Sequence, residues 1–277
     1  MNLWQGAVLG VVQGLTEFLP ISSTAHLRVV PALLGWPDPG AAFSAVIQLG
    51  TLLAVLVYFA RDLGRMARAL VQGLLAGRPW EDAQARLAWM ILLGTVPIGV
   101  AGLLGEHAIE TWLRSLWVVA GALVALALVL ALAERLGRRK TRLGEAGWLQ
   151  GLSIGLAQTL ALIPGVSRSG VTITAGLFAG LERADAARFS FLLSVPAVAA
   201  SGLYEGYKLL GSAALAGVDW PSLLLATFTA ASSGYLAVAG LIRFLQRRST
   251  MVFVVYRILL GVAILALCAT GTLDPLA

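Results

Sequence analysis

The sequence predicts an all-α polytopic membrane protein: a single integral membrane domain over residues 1–277, built as an inverted repeat. Each half holds one re-entrant helical hairpin and three transmembrane helices, with repeat 1 over about 1–140 and repeat 2 over about 141–277. Three observations carry this. Of the 277 residues, 58% are hydrophobic and only 12% charged, about half the charge a soluble domain carries. Several apolar runs approach the roughly 20 residues that a spanning helix needs. Two segments inside this apolar sequence, 13–26 and 158–172, are polar, proline-broken and serine-bearing.

Charge placement gives the topology. The net charge is +6, but 15 of the 20 Lys and Arg lie in short segments: five in 61–86, five in 135–142, then Arg183, Arg188, Arg243, Arg247 and Arg248. Short basic loops are cytoplasmic under the positive-inside rule and attract anionic lipid headgroups. This clustering argues against a nucleic-acid partner. The single cysteine, Cys268, lies in the last apolar run, so neither an internal disulfide nor a cysteine metal site can form. The N-terminus lacks a basic n-region, and the first helix is expected to stay in the mature protein.

Taken in order, residues 1–19 form a helix too short, and too polar at its end, to be an ordinary span. Pro20 breaks it, and Ser22, Ser23 and Thr24 can cap a second short helix running through His26 towards Val30. A turn-rich loop over 31–42 precedes a span at 43–60, and a basic, partly amphipathic loop covers 61–86. Spans at 87–104 and 116–133 follow, joined by the acidic turn EHAIETWLR, in which His107 is expected to be solvated.

The pattern then repeats. At a shift of 145 positions Gly6, Gly10, Gln13, Leu15 and Ser22 fall on Gly151, Gly155, Gln158, Leu160 and Ser167, while Pro20 finds Pro164 one place off. Spans at about 186–205, 221–242 and 251–270 complete the second half. With the basic loops inside, the spans alternate only if each broken segment enters and leaves on one side. An odd number of spans per half then inverts the second half against the first. Broken helices at matching positions of inverted repeats point to a shared intramembrane site.

The chemistry gathers at the two breaks. Gln13 and Glu17 are four apart on one helix face, with Ser22, Ser23 and His26 just beyond; the other break brings Ser167, Arg168, Ser169 and Thr172. Ionisable groups at membrane depth are costly and mark function. Two helix N-termini and an arginine suit phosphate. An acid beside an anion pocket makes sense as a proton acceptor or as a ligand for a divalent cation, Glu17 with Gln13 supplying the oxygens. Arg257, early in the last span, is expected to snorkel to the basic face.

These residues carry a family resemblance. QGLTEFLPISSTAH (13–26) and PGVSRSGVT (164–172) resemble the two signature motifs of the undecaprenyl-diphosphate phosphatase family, also called bacitracin-resistance proteins. The first is matched by Gln13, Glu17, Ser22, Ser23 and His26, with Gln where the family also allows Glu; the second is matched in full. The likeness extends over essentially the whole chain. It implies a multi-pass hydrolase of the bacterial inner membrane, opening to the outer face and dependent on a divalent cation, Mg2+ or Ca2+. Its substrate would be undecaprenyl diphosphate, whose terminal phosphate it removes to recycle the carrier lipid for cell-wall synthesis. Bacitracin would compete for that substrate rather than bind the protein.

In the roles this implies, Glu17, Ser23, His26 and Arg168 are catalytic, and Ser22, Ser167, Arg168, Ser169 and Thr172 bind phosphate. Attack by Ser23 with His26 as base, attack by His26 itself, or attack by metal-bound water all remain open. The rival reading is a transporter or flippase of a polyprenyl phosphate lipid, because inverted repeats with broken helices are transporter architecture. Glycine-rich helices also permit close packing between copies, compatible with a homodimer.

Overall fold

The computed structural model describes residues 1–38, 40–110, 113, 115–210 and 219–274, and those residues are entirely helical apart from turns and one isolated bridge between Thr141 and Leu181. In chain order the helices are α1 (Leu3–Phe18), α2 (Ser23–Leu33), α3 (Gly40–Tyr58), α4 (Ala60–Leu75), α5 (Ala83–Glu110) and α6 (Leu116–Leu136). There follow α7 (Trp148–Ala157), with a 3-10 continuation at Gln158–Leu162, then α8 (Arg168–Phe178), α9 (Arg183–Leu210), α10 (Trp220–Leu245) and α11 (Met251–Ala269). Among the described residues five helices are long and apolar enough to cross a membrane, α5, α6, α9, α10 and α11; a sixth crossing arises if α3 and α4 count together. The protein is therefore a multi-pass membrane protein.

Each half has the same order, a helix, a break, a short helix and then longer ones. α1 begins at a capping box, Asn2 accepting from the Gln5 amide at 2.9 Å while the Gln5 side chain accepts from the Asn2 amide at 3.0 Å. It ends before Pro20, as expected. α2 runs three residues past Val30, through Pro31, so the connection to α3 is shorter than the 31–42 loop the sequence suggested. The segment 61–86 is not a loop throughout. Its first part is α4, turned 74° from the preceding span. The reason is amphipathic spacing, which buries Met66 against the core while Arg61, Arg65 and Arg68 stay exposed. α5 extends through Glu110, so His107 belongs to its last turn and not to a loop; Thr111, Trp112 and Arg114 of EHAIETWLR lie outside the described residues.

The packing of the two halves is reciprocal. Gly6, Gly10 and Gly14 of α1 face Ser222, Ala226 and Ala230 of α10, while Gly151 and Gly155 of α7 face Met90 and Gly94 of α5. Gly6 and Gly10 thus seat α1 against α10, and Gly151 and Gly155 seat α7 against α5. A Cβ on Gly10 would lie 2.1 Å from the Ala226 carbonyl oxygen, and one on Gly155 would lie 2.4 Å from the Gly94 Cα. These glycines are used inside the chain rather than between copies. Gly10→Ala is therefore expected to cost about 1–3 kcal/mol through overpacking, seen as a lowered unfolding midpoint in detergent. Gly121→Ala, where a Cβ meets nothing within 4 Å, should leave it unchanged.

The end of α1 is fixed by aromatics. Phe18, next to Glu17, is buried edge-on to Phe191 of α9, with ring centroids 5.3 Å apart, and Phe59 closes the cluster. At one end of the bundle, buried Glu134 accepts from Arg139 at 2.7 Å, from Arg183, and from the Thr250 hydroxyl at 2.7 Å. That carboxylate ties together the ends of α6, α9 and α11.

Candidate active site

Both breaks are built on the same strained cap. Ser22 and Ser167 are N-caps with φ of 74° and 72°, a left-handed conformation costly for residues other than glycine. Each hydroxyl accepts from the amide three residues on, Ala25 at 3.5 Å and Gly170 at 3.1 Å. The strain turns the chain sharply, so that the next residue, Ser23 at one break and Arg168 at the other, begins its helix with its side chain on Glu17. Gly165, at φ 93°, lets the second break pass close to the Val119 carbonyl, 2.3 Å from where a Cβ would stand.

The two breaks meet at one carboxylate. Arg168 Nη2 donates to Glu17 Oε1 at 2.6 Å, and Ser23 Oγ donates to Glu17 Oε2 at 2.6 Å. Gln13 Nε2 reaches the same Oε2 at 3.1 Å, and Gln48 Nε2 from α3 reaches Oε1 at 3.3 Å. Glu17 is 5% exposed and Arg168 12%, which makes this pair a buried, charge-assisted contact. The second half offers no matching acid: four residues after buried Gln158 stands Leu162, where Glu17 follows Gln13. The acid therefore stands at the first break alone.

His26 is held from both sides. Its Nδ1–H donates to the Ser22 carbonyl at 2.7 Å, which in the neutral ring leaves the lone pair on Nε2. Nε2 accepts from the Tyr256 hydroxyl at 2.6 Å, and the two rings stack nearly parallel at 5.7 Å. The Ser23 hydroxyl is bonded to Glu17, so its partner is the carboxylate and not the imidazole. Ser167 and Ser169 lie 3.2 Å apart, and Ser169 also donates to the Leu19 carbonyl across the break at 3.1 Å. Thr172 turns away from this group: fully buried, its hydroxyl sits 2.7 Å from the Arg168 carbonyl and 2.6 Å from Ser190 of α9.

Arg257 does not snorkel. It is fully buried, with Nη1 donating to the Pro20 carbonyl at 3.1 Å and Nη2 to the Gly165 and Val166 carbonyls, each at 3.0 Å. Its Nε donates to Leu123 of α6 at 3.2 Å. Breaking a helix strips its last carbonyls of partners, and one guanidinium serves both breaks. The signals in the sequence were modest, a lone charge within the 251–270 run and a lone Gln48 within 43–58.

Among the described residues no group of three or more His, Cys, Asp or Glu could hold a metal. Glu17 and the amide oxygens of Gln13 and Gln48 are hard donors. A cation such as Mg2+ is commonly held by one or two carboxylates plus substrate phosphates, so this donor set fits a divalent ion completed by its substrate.

The sequence model for the bacitracin resistance protein BacA matches residues 6–263. Among the similar proteins, one called undecaprenyl-diphosphatase from Chlorobium phaeovibrioides (strain DSM 265 / 1930) is 54% identical over 282 residues, covering 99% of this chain and 100% of the relative. Another of the same name from Chlorobium phaeobacteroides (strain BS1) is 54% identical over 281 residues, with the same shares covered. A third, from Chlorobaculum tepidum (strain ATCC 49652 / DSM 12025 / NBRC 103806 / TLS), is 51% identical over 282 residues, again with those shares.

Proposed function

The chain belongs to the bacitracin resistance protein BacA family, and on that premise we propose that it hydrolyses undecaprenyl diphosphate to undecaprenyl phosphate and inorganic phosphate in the bacterial inner membrane. The observation that carries the reading is the 2.6 Å contact of Arg168 with Glu17. It brings a phosphate-binding cation and a proton acceptor from opposite halves of the chain to one point. The reciprocal glycine packing and the paired Ser22 and Ser167 caps support two re-entrant hairpins related by inversion. In this reading their site opens to the outer face. Bacitracin would compete for the lipid and not for this pocket.

In this mechanism Arg168, with the Ser167 and Ser169 hydroxyls and the first amides of α2 and α8, holds the terminal phosphate. Ser23 Oγ bonds to the terminal phosphorus as its proton passes to Glu17, which already accepts it. The bond from that phosphorus to the bridging oxygen breaks, and undecaprenyl phosphate leaves. Water then attacks the phosphoserine, giving a proton to His26 Nε2 where Tyr256 now sits. Glu17 returns its proton to Ser23, and inorganic phosphate leaves with the proton from His26. Ser22 holds the imidazole through its carbonyl, and Thr172 positions Arg168 through its backbone. Glu17 and Gln13, with Gln48, would hold Mg2+ or Ca2+, which when bound offsets phosphate charge.

Purified protein in detergent is expected to release phosphate from undecaprenyl diphosphate. No release in Mg2+ or Ca2+, with lipid movement measurable in vesicles, would point to a flippase instead. Rapid acid quenching with labelled substrate should trap the phosphoryl group on Ser23. Label on His26, or no labelled enzyme while turnover proceeds, would overturn the serine assignment.

A further inference from the structure

A groove of about 370 Å³ runs between α1 and α11 and reaches His26. Its walls are Leu15, Leu19 and Ile21 on one side and Val252 and Phe253 on the other. The polar atoms along it are already satisfied within the protein. Thr16 donates to the Val12 carbonyl at 2.6 Å, and Tyr256 and His26 bond to each other at 2.6 Å. An aliphatic chain in this groove would leave no buried donor or acceptor without a partner, whereas a polar ligand would find none to engage.

Two features give the groove a direction. His26, only 8% exposed, lines its buried side, and the neighbouring Ser22 and Ser23 belong to the Glu17 and Arg168 site. Its outer lip is formed by Leu15, Val252 and Tyr256, which are 41%, 52% and 42% exposed on the flank of a membrane protein. A ligand with its charged end at Arg168 and a long hydrocarbon chain would pass His26 and leave through this gap without taking its apolar part through water.

We infer that this groove binds the polyprenyl chain of the substrate, with the isoprene units nearest the diphosphate lying between α1 and α11 beside Tyr256. The assignment rests on the phosphatase reading and adds to it the route by which the lipid enters sideways from the bilayer. Tyr256, at once on the groove wall and on His26, stands where chain and headgroup meet.

Substitutions that fill the groove test this, because the side chains of Leu15 and Val252 take no part in the hydrogen bonds of the polar site. Leu15→Trp and Val252→Trp should each raise KM for undecaprenyl diphosphate by about tenfold, the loss of contacts along a few isoprene units. Both should leave phosphate release from isopentenyl diphosphate, a single-unit analogue, near that of the unaltered protein. Retained short-chain activity reports that the variant is folded. If the unaltered protein releases phosphate from neither compound, the phosphatase reading fails. If it hydrolyses both, and the variants slow both alike or neither, the groove assignment fails. Should a variant not fold, photo-crosslinking of the unaltered protein decides: an undecaprenyl diphosphate analogue with a diazirine in its first isoprene units should label the peptide holding Val252–Tyr256. Label on other helices, or label displaced by phospholipid and not by undecaprenyl diphosphate, overturns the assignment.

Discussion

Arg168→Ala is expected to lower turnover of undecaprenyl diphosphate by roughly 10³-fold, the scale seen when an arginine that stabilises a transferring phosphoryl group is removed. The reason is geometric as well as electrostatic. Arg168 starts α8 immediately after a strained cap and is only 12% exposed, so the fold fixes its place at the carboxylate. Truncation also leaves Glu17 buried with three neutral donors and no countercharge, and breaking a buried pair in this way costs about 3–5 kcal/mol. Two comparisons separate catalysis from folding. Arg168→Lys keeps the charge but loses the two-pronged fork, and should recover stability more than turnover. Glu17→Gln combined with Arg168→Ala removes the orphaned charge, and should restore the unfolding midpoint while leaving turnover low. Near-normal phosphate release by Arg168→Ala would remove the arginine from the mechanism.

Arg257→Leu is expected to be the most damaging substitution outside the reacting groups. The side chain satisfies the break carbonyls of Pro20, Gly165 and Val166 and also rests on Leu123 of α6, and each buried break carbonyl left unpaired costs about 1–3 kcal/mol. Losing several at once should lower the unfolding midpoint sharply. It should also abolish activity, since Ser23 and Arg168 lie within three residues of carbonyls that Arg257 holds. Arg257→Lys, a single donor head reaching one break at a time, should be partly folded and nearly inactive. A Leu variant with an unchanged midpoint would show that the breaks hold themselves, and the clamp would have to be abandoned.

Much of the fold and site was legible because it depends on short spacings. The helix breaks follow from Pro20 and Pro164, the caps from Ser22 and Ser167, and the facing of Gln13 and Glu17 from a four-residue spacing that puts them on one helical face. Spans at 116–133 and 251–270 were close to α6 and α11 because their apolar runs have no competing reading. α4 was missed because its alternation of arginine with Leu63, Met66 and Leu70 shows less apolarity than a span, and basic residues invite a loop assignment. The motif alone does not give Thr172 its hydroxyl partner, because Ser190 lies 18 residues away on α9.

The sequence by itself determined which groups are present and where the backbone must break: one acid, one arginine and serines beside two prolines. It also determined that only the first break carries an acid, since Leu162 follows Gln158 at the spacing by which Glu17 follows Gln13. The tertiary structure alone decided who bonds to whom. Ser23 rests on Glu17 rather than His26, Tyr256 claims the imidazole, and Arg257 turns inward to hold both breaks. Those choices join residues from 6 to 237 positions apart, and at such separations a hydrogen bond depends on how helices pack, which no local spacing encodes.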